Sequence, residues 1–348
     1  MTATGQPTLV IIGGLLGAGK TTLAIEAARR LTDAGRRVGI VTNDQGSGLV
    51  DTALARVAHV PVREVAGGCF CCRLSDLLRA ADSFARLAPE VIFAEPVGSC
   101  LDLAATVLRP ILRDEAARFR VAPLTVLVDP ARAHQLADAP DSDLAYLFRH
   151  QLEEADIVCY SKTDNGVVPP EVHGVAGHFV SARTGEGLGE WLDLVLGHER
   201  PSGQSLISVD YQRYSDAEAA LAWLNWQVRI ELAVPQSPAV VVGSLTERLE
   251  HAMTLAGLEI VHVKVLDQAP TGYVRASICA SGDEPVAEGT LDASPCARHD
   301  LIVNARALGN PEQLSRAVAD CLQMFGGRVD LLTREAFRPS PPMPERRA

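Results

Sequence analysis

From residue 8 to about residue 197, short apolar runs alternate with stretches of helical spacing. The runs are Leu9–Ile12, Val38–Thr42, Val91–Ala94, Leu124–Val128 and Ile157–Tyr160, with a weaker one at Phe179–Val180. Helical patterns fall near 20–34, 74–87, 142–153 and 188–196. Alternation of this kind predicts an α/β fold, a parallel sheet covered by helices on both faces. The polar stretch 198–204, His-Glu-Arg-Pro-Ser-Gly-Gln, breaks the pattern and reads as a linker. Beyond it the order changes. Strands are expected near 205–211, 226–232, 259–266, 272–280 and 299–306, with helices near 215–225, 244–256 and 311–325. That order predicts a smaller α+β domain with an antiparallel sheet. The proline-rich end from Arg338 is expected to run extended against the surface or to be disordered. The expected division is therefore 1–200, 205–337 and a tail at 338–348, with no repeats.

The junction of the first run and the first helix carries the most specific chemistry. Residues 13–22 read Gly-Gly-Leu-Leu-Gly-Ala-Gly-Lys-Thr-Thr, and Gly14 to Thr21 spell G-x-x-x-x-G-K-[ST] between a strand and a helix. Gly14, Gly17, Ala18 and Gly19 let backbone N–H groups turn toward phosphate oxygens, and the helix N-terminus adds its positive end. Lys20 reaches the β- and γ-phosphates, the Thr21 hydroxyl is the candidate Mg²⁺ ligand, and Thr22 completes the loop. The sequence predicts a nucleoside triphosphate site.

Later segments point to guanine. Ser161-Lys162-Thr163-Asp164 follows a strand, as the [NT]-K-x-D loop of GTPases does. There the Asp164 carboxylate would accept two hydrogen bonds from guanine, and Lys162 would lay its stem over the base. Ser181-Ala182-Arg183-Thr184-Gly185-Glu186-Gly187 resembles the S-A-x-x-G-x-G loop that touches the guanine carbonyl. Phe93-Ala94-Glu95-Pro96-Val97-Gly98 ends a strand as an E-x-x-G form of the Walker B region. Glu95 is the candidate for holding a Mg²⁺-bound water or orienting the attacking water, and Gly98 for approaching the γ-phosphate. Thr42-Asn43-Asp44-Gln45-Gly46 is placed to act as a switch loop, with Asp44 as its carboxylate. Asp129 is read as structural.

Composition narrows the class. With 348 residues and 47% hydrophobic positions, the chain has length for about two domains and a full core. A formal net charge of −11 without a basic stripe argues against nucleic acid or an anionic membrane as partner. No apolar run approaches the roughly 20 residues of a membrane span, and no signal peptide is evident. The expectation is a cytoplasmic protein whose eight cysteines are mostly reduced.

In that setting Glu64-Val65-Ala66-Gly67-Gly68-Cys69-Phe70-Cys71-Cys72 is the second decisive feature. Three thiols within four residues exceed ordinary core filling and suit Zn²⁺, Cu⁺ or another thiophilic ion. Cys69 and Cys71 are expected to face one way in an extended segment. Cys72 is expected to open a helix over 73–87, whose dipole would favour its thiolate. An open position is left for Glu64, water or a partner ligand, as suits a site that passes metal on. The alternatives are a redox thiol pair or a buried turn. Cys100 is noted only because it lies just past the Glu95–Gly98 turn. The nine histidines form no cluster.

The phosphate loop, G-C-x-C-C, E-x-x-G and K-x-D together resemble the CobW-like metallochaperone GTPases, relatives of UreG and HypB, over roughly residues 8–197. The resemblance implies a GTPase that binds Zn²⁺, or Co²⁺ or Ni²⁺, at the cysteines and couples GTP hydrolysis to delivery into a client protein. A second implied reading is a GTPase chaperone for a cofactor enzyme, for example a corrinoid enzyme, with the cysteines as sensor. It also implies a homodimer formed through the switch face. Glu64 falls on the glutamate of the family's E-L-x-N-G-C-x-C-C pattern. The chain departs from the family in Asn43-Asp44-Gln45-Gly46 for N-E-F-G, in Gly68 for an asparagine, at 99–102, and in lacking a histidine-rich stretch.

Overall fold

The computed structural model describes residues 5–170, 177–197 and 199–348. The chain divides into two compact units, and neither is one continuous stretch. The first is Met1–Gln45, Asp51–Ala217 and Pro342–Ala348; the second is Gly46–Val50 and Glu218–Pro341.

In the first unit the elements run β1 (Thr8–Gly14), α1 (Lys20–Asp33), β2 (Val38–Asn43), α2 (Val50–Val57), β3 (Val62–Val65), α3 (Leu74–Asp82) and β4 (Val91–Glu95). A π-helical turn (Ala104–Leu108) then leads into α4 (Arg109–Asp114). There follow β5 (Arg120–Val121), β6 (Thr125–Val128), α5 (Pro130–Asp138), α6 (Asp143–Glu154), β7 (Ile157–Tyr160), β8 (His178–Phe179), α7 (Leu188–Leu196) and α8 (Tyr211–Ala219). The strands pair in the order β3-β2-β4-β1-β6-β7-β8, with β5 also on β1. The pairings are parallel. All seven residues of β1 are buried, as in a strand covered on both faces. Val10, Ile12 and Phe93 pack against Leu23, Ala24 and Ala27 of α1 and Trp191 of α7. This is the α/β architecture that the alternating pattern predicts. It brings the carboxyl ends of β1, β2, β3, β4 and β7 to one edge, where doubly wound sheets hold ligands.

The second unit is a six-stranded antiparallel sheet, β9 (Leu221–Gln236), β10 (Glu259–Ala269), β11 (Gly272–Ile278), β12 (Val286–Gly289), β13 (Cys296–Leu308) and β14 (Arg328–Phe337). Its order is β12-β11-β10-β13-β9-β14. Helices α9 (Pro238–Leu255) and α10 (Pro311–Gln323) bury Leu245, Leu249, Leu314 and Val318 with the sheet's Leu224, Trp226, Val263 and Val303. The α+β order is as expected, but three details differ. No strand forms at 205–211, where α8 begins at Tyr211. The strand expected at 226–232 already starts at Leu221, because Trp223, Leu224 and Trp226 have a buried surface to fill. Helix α9 starts at Pro238, six residues early, since Ser237 caps it by accepting from the Val240 N–H. Of the linker expected at 198–204, His198 lies outside the described residues. No described helix is long and apolar enough to cross a membrane.

Candidate nucleotide and metal site

The loop between β1 and α1 is a turn closed by Ala18 N–H donating to Leu15 O at 3.1 Å. Gly19 caps α1 with φ +90, a backbone state that L side chains rarely adopt, and a Cβ there would meet only open space. That open space lies at the N-terminus of α1, the place where a helix end favours a phosphate. Lys20 is buried and folds back, its Nζ donating to Gly14 O at 2.8 Å and Leu15 O at 3.2 Å. Thr22 is half-buried one residue further into α1.

Thr21 is where the hard donors meet. Its Oγ1 lies 2.7 and 2.9 Å from the two Glu95 oxygens and 2.7 Å from Asp51 Oδ1. A hydroxyl has one proton and donates to one carboxylate at a time. Two carboxylates converging on one hydroxyl form an oxygen set of the kind a hard divalent cation takes. Asp51 is absent from the sequence candidates. It sits in the first turn of α2, an eight-residue helix outside every motif read from the sequence, 30 residues from Thr21. Asp44 is buried at the end of β2, with its N–H bonded to Val65 O at 3.1 Å. Gly98 belongs to the same edge: a Cβ on it would stand 2.8 Å from Leu16 N, so only glycine lets the E-x-x-G turn lie this close to the phosphate loop.

The two base-loop segments come together. Ser181 Oγ donates to Asp164 Oδ1 at 2.6 Å, and Arg183 pairs with Asp164 Oδ2 at 2.6 Å. Burial works to raise the Asp164 carboxyl, but the Ser181 hydroxyl, the backbone N–H and Arg183 outweigh it and hold the pKa below the ordinary value. Both oxygens of the carboxylate are engaged, Oδ1 by Ser181 and Oδ2 by Arg183. Lys162, in the left-handed conformation at φ 56, pairs with Asp129 Oδ2 at 2.7 Å. Asp129 also caps α5 by accepting from Ala131 N–H. Ala182, beside Ser181, is half-buried.

The cysteine segment is a turn rather than an extended stretch. Cys72 N–H donates to Cys69 O at 3.0 Å, and Phe70 is fully buried as its anchor. The turn gathers all three sulfurs. Cys72 Sγ is 3.5 Å from both Cys69 Sγ and Cys71 Sγ, and the three lie within 4.8 Å of one another. Glu64 is not among these ligand atoms; it lies on β3, opposite Thr42 of β2. The expected thiolate at Cys72 is overturned. Helix α3 starts at Leu74, and the Cys69 sulfur, then burial, raise the Cys72 thiol to about 11. Cys69 is raised too, and Cys71 well above its ordinary value, in both cases first by the neighbouring Cys100 sulfur.

Two further contacts escaped sequence reasoning. Asn43 Nδ2, at the end of β2, donates to Val65 O at 2.9 Å and Gly68 O at 2.7 Å, pinning the cysteine loop to β2. The last residues of the chain then cross the cluster. Met343 N–H donates to Cys72 Sγ at 3.1 Å and Glu345 N–H to Cys71 O at 3.0 Å. Glu345 also accepts from Ser75 N–H and Oγ–H at 2.9 and 2.7 Å. Arg347 Nε reaches Asp102 Oδ2 at 2.8 Å. Of the two expectations for the proline-rich end, the described residues show it lying against the first unit, but composition gives no sign that the cysteine cluster is what it meets.

Residues 8–171 match the family described as CobW/HypB/UreG, nucleotide-binding domain. No curated protein matches the chain. Among solved structures, the hydrogenase maturation factor HypB from Archaeoglobus fulgidus is similar at 15% identity and TM-score 0.40, covering 55% of this chain and 89% of that one. HypB from Helicobacter pylori in complex with nickel is similar at 16% and 0.37, covering 55% and 86%. The Zn(II)-bound YjiA GTPase from E. coli is similar at 13% and 0.34, covering 91% and 99%. Likenesses this distant carry no weight of their own. The phosphate loop, the E-x-x-G turn and the clustered cysteines all fall within residues 8–171, the segment that is similar to the CobW/HypB/UreG nucleotide-binding domain.

Proposed function

We propose that this protein is a GTP-hydrolysing metallochaperone. It takes a thiophilic divalent ion, Zn²⁺ foremost, at Cys69, Cys71 and Cys72 and delivers it to a client protein. The observation that carries the reading is the three-sulfur cluster within a nucleotide-binding domain, tied by Asn43 to the end of β2. The loop 14–19 and Lys20 bind the phosphates. Thr21, Asp51 and Glu95 hold Mg²⁺, which supplies charge neutralisation at the β- and γ-phosphates. Glu95 and Asp44 orient the water, and Gly98 follows the γ-phosphate. Asp164, set by Ser181, accepts from guanine once Arg183 yields. A change at the end of β2 on hydrolysis reaches the cysteine turn through Asn43. The client, homodimerisation and a cytoplasmic location belong to the same proposal.

The test is hydrolysis by metal-stripped protein with GTP or ATP, with and without stoichiometric Zn²⁺, Co²⁺ or Ni²⁺. A GTP-selective rate that responds to metal, and loses the response when the three cysteines become serine, supports the proposal. A GTP rate indifferent to every metal overturns it in favour of a chaperone for a cofactor enzyme.

A further inference from the structure

The three-sulfur cluster leaves one ligand position open, and the residue expected to fill it, Glu64, lies outside the cluster. A fourth sulfur stands beside it. Cys100 Sγ is 3.8 Å from Cys71 Sγ and is buried to 1% exposure, like Cys71 at 1% and Cys69 at 2%. Cys100 comes from a different element, the segment following the E-x-x-G turn. Gln151 of α6 fixes that segment by donating to Gly98 O at 2.9 Å and Cys100 O at 3.1 Å. Tyr214 OH accepts from the next N–H, of Leu101, at 3.1 Å.

The Cys100–Cys71 separation is that of two ligands in one metal shell. Four sulfurs at about 2.3 Å from a tetrahedral ion stand about 3.8 Å apart. Cys72 Sγ stands 3.5 Å from Cys69 Sγ and Cys71 Sγ, and Cys100 Sγ 3.8 Å from Cys71 Sγ; Cys100 lies outside the set within 4.8 Å of one another, so closing the shell takes a small inward shift of its sulfur. Resting on the metal reading above, we propose that Cys100 is the fourth thiolate, so that the ion is held by Cys69, Cys71, Cys72 and Cys100 in a closed four-sulfur shell. Four thiolates around a divalent ion leave a net charge of −2. The Met343 N–H on Cys72 Sγ is a donor placed to stabilise it. Such a shell selects thiophilic ions over harder ones. It also takes one ligand from the loop carrying Gly98, two residues away. Release then requires the Glu95–Cys100 segment to give up a metal bond, which makes that segment, and not the Cys69–Cys72 turn alone, the route by which nucleotide state reaches the metal.

The test uses reduced, metal-stripped, full-length protein under anaerobic conditions, with Co²⁺ as probe and Zn²⁺ as competitor. Wild type should bind one Co²⁺ with tetrahedral bands and four thiolates' worth of charge-transfer absorbance. Cys100→Ser and Cys100→Ala should still bind one Co²⁺, with that absorbance down by about a quarter and Zn²⁺ affinity down on the order of 10- to 100-fold or more. X-ray absorption of the Zn²⁺-loaded wild type needs no variant and should give four sulfurs at about 2.3 Å. Three sulfurs with a lighter atom, or Cys100 variants with wild-type spectrum and affinity, overturn the proposal and leave the three-cysteine site standing. So does a Cys71–Cys100 disulfide whose reduction restores only three ligating thiols. Absence of any thiolate-to-cobalt band in wild type overturns the cysteine reading itself, and this proposal with it.

Discussion

At Thr21 one hydroxyl proton faces the carboxylates of Glu95 and Asp51. If these oxygens hold Mg²⁺, Asp51→Asn should raise the Mg²⁺ concentration needed for half-maximal hydrolysis on the order of 10- to 100-fold, with nucleotide affinity in EDTA unchanged. An unaltered Mg²⁺ titration would remove Asp51 from the site. Asp164 makes a different demand. Its charge is kept by the Ser181 hydroxyl and Arg183, so Asp164→Asn should cut the preference for GTP over ATP by about 10- to 100-fold in competition binding. A buried carboxyl elsewhere governs pH response. Glu154 is fully buried, and desolvation raises it to about 8; Ala104 N–H donates to its Oε2, and Oε1 has no partner. The folded state therefore keeps a proton that the unfolded chain releases at its ordinary pKa of 4.5. Glu154's contribution is fully present below pH 4.5 and is lost as pH rises toward 8. Glu154→Gln should raise the melting temperature more at pH 8.5 than at pH 5. Equal shifts at both would show that Glu154 ionises freely in the folded protein.

Among the elements, legibility followed signal strength. Strands β1, β2, β4, β6 and β7 are runs of Val, Ile and Leu buried on both faces, and the sequence shows them. Strand β3 is four residues with Arg63 and Glu64 at its centre, and it has no such run. Yet β3 delivers the cysteine loop, so the loop's tether could not be read either. The motifs at residues 14–21, 69–72, 95–98 and 161–164 are legible because each is local. Asp51, Cys100 and Met343 are not, because their partners lie 30, 29 and 271 residues away, and only the strand order brings them together. Asn43 is the element-level joint. Asn43→Ala removes two hydrogen bonds to the carbonyls of Val65 and Gly68, a loss of about 1–3 kcal/mol. It should weaken Zn²⁺ binding while GTP still binds, as read by calorimetry with each ligand. Zn²⁺ affinity equal to wild type would mean the cysteine turn holds its own shape.

The whole molecule returns to its starting unit. After the antiparallel sheet of the second unit, residues 342–348 rejoin the first. There the Met343 N–H meets Cys72 Sγ. Pro342 and Pro344 already hold this stretch extended, so Met343→Pro deletes that donor with little change in backbone. It should speed loss of Zn²⁺ to a chelator by about tenfold and leave GTP affinity alone. Unchanged metal loss would make the strap a bystander. The strap also imposes an order in time. Met343 follows Cys72 by 271 residues. At about 5–20 residues per second, the ribosome leaves the Cys72 sulfur without that donor for roughly 15 to 55 seconds after it is made. During that interval Cys72 Sγ lacks its Met343 donor, whereas Cys69 and Cys71 are buried. An ion taken up in that interval would be held without the strap's hydrogen bond and would gain it only when residue 343 arrives.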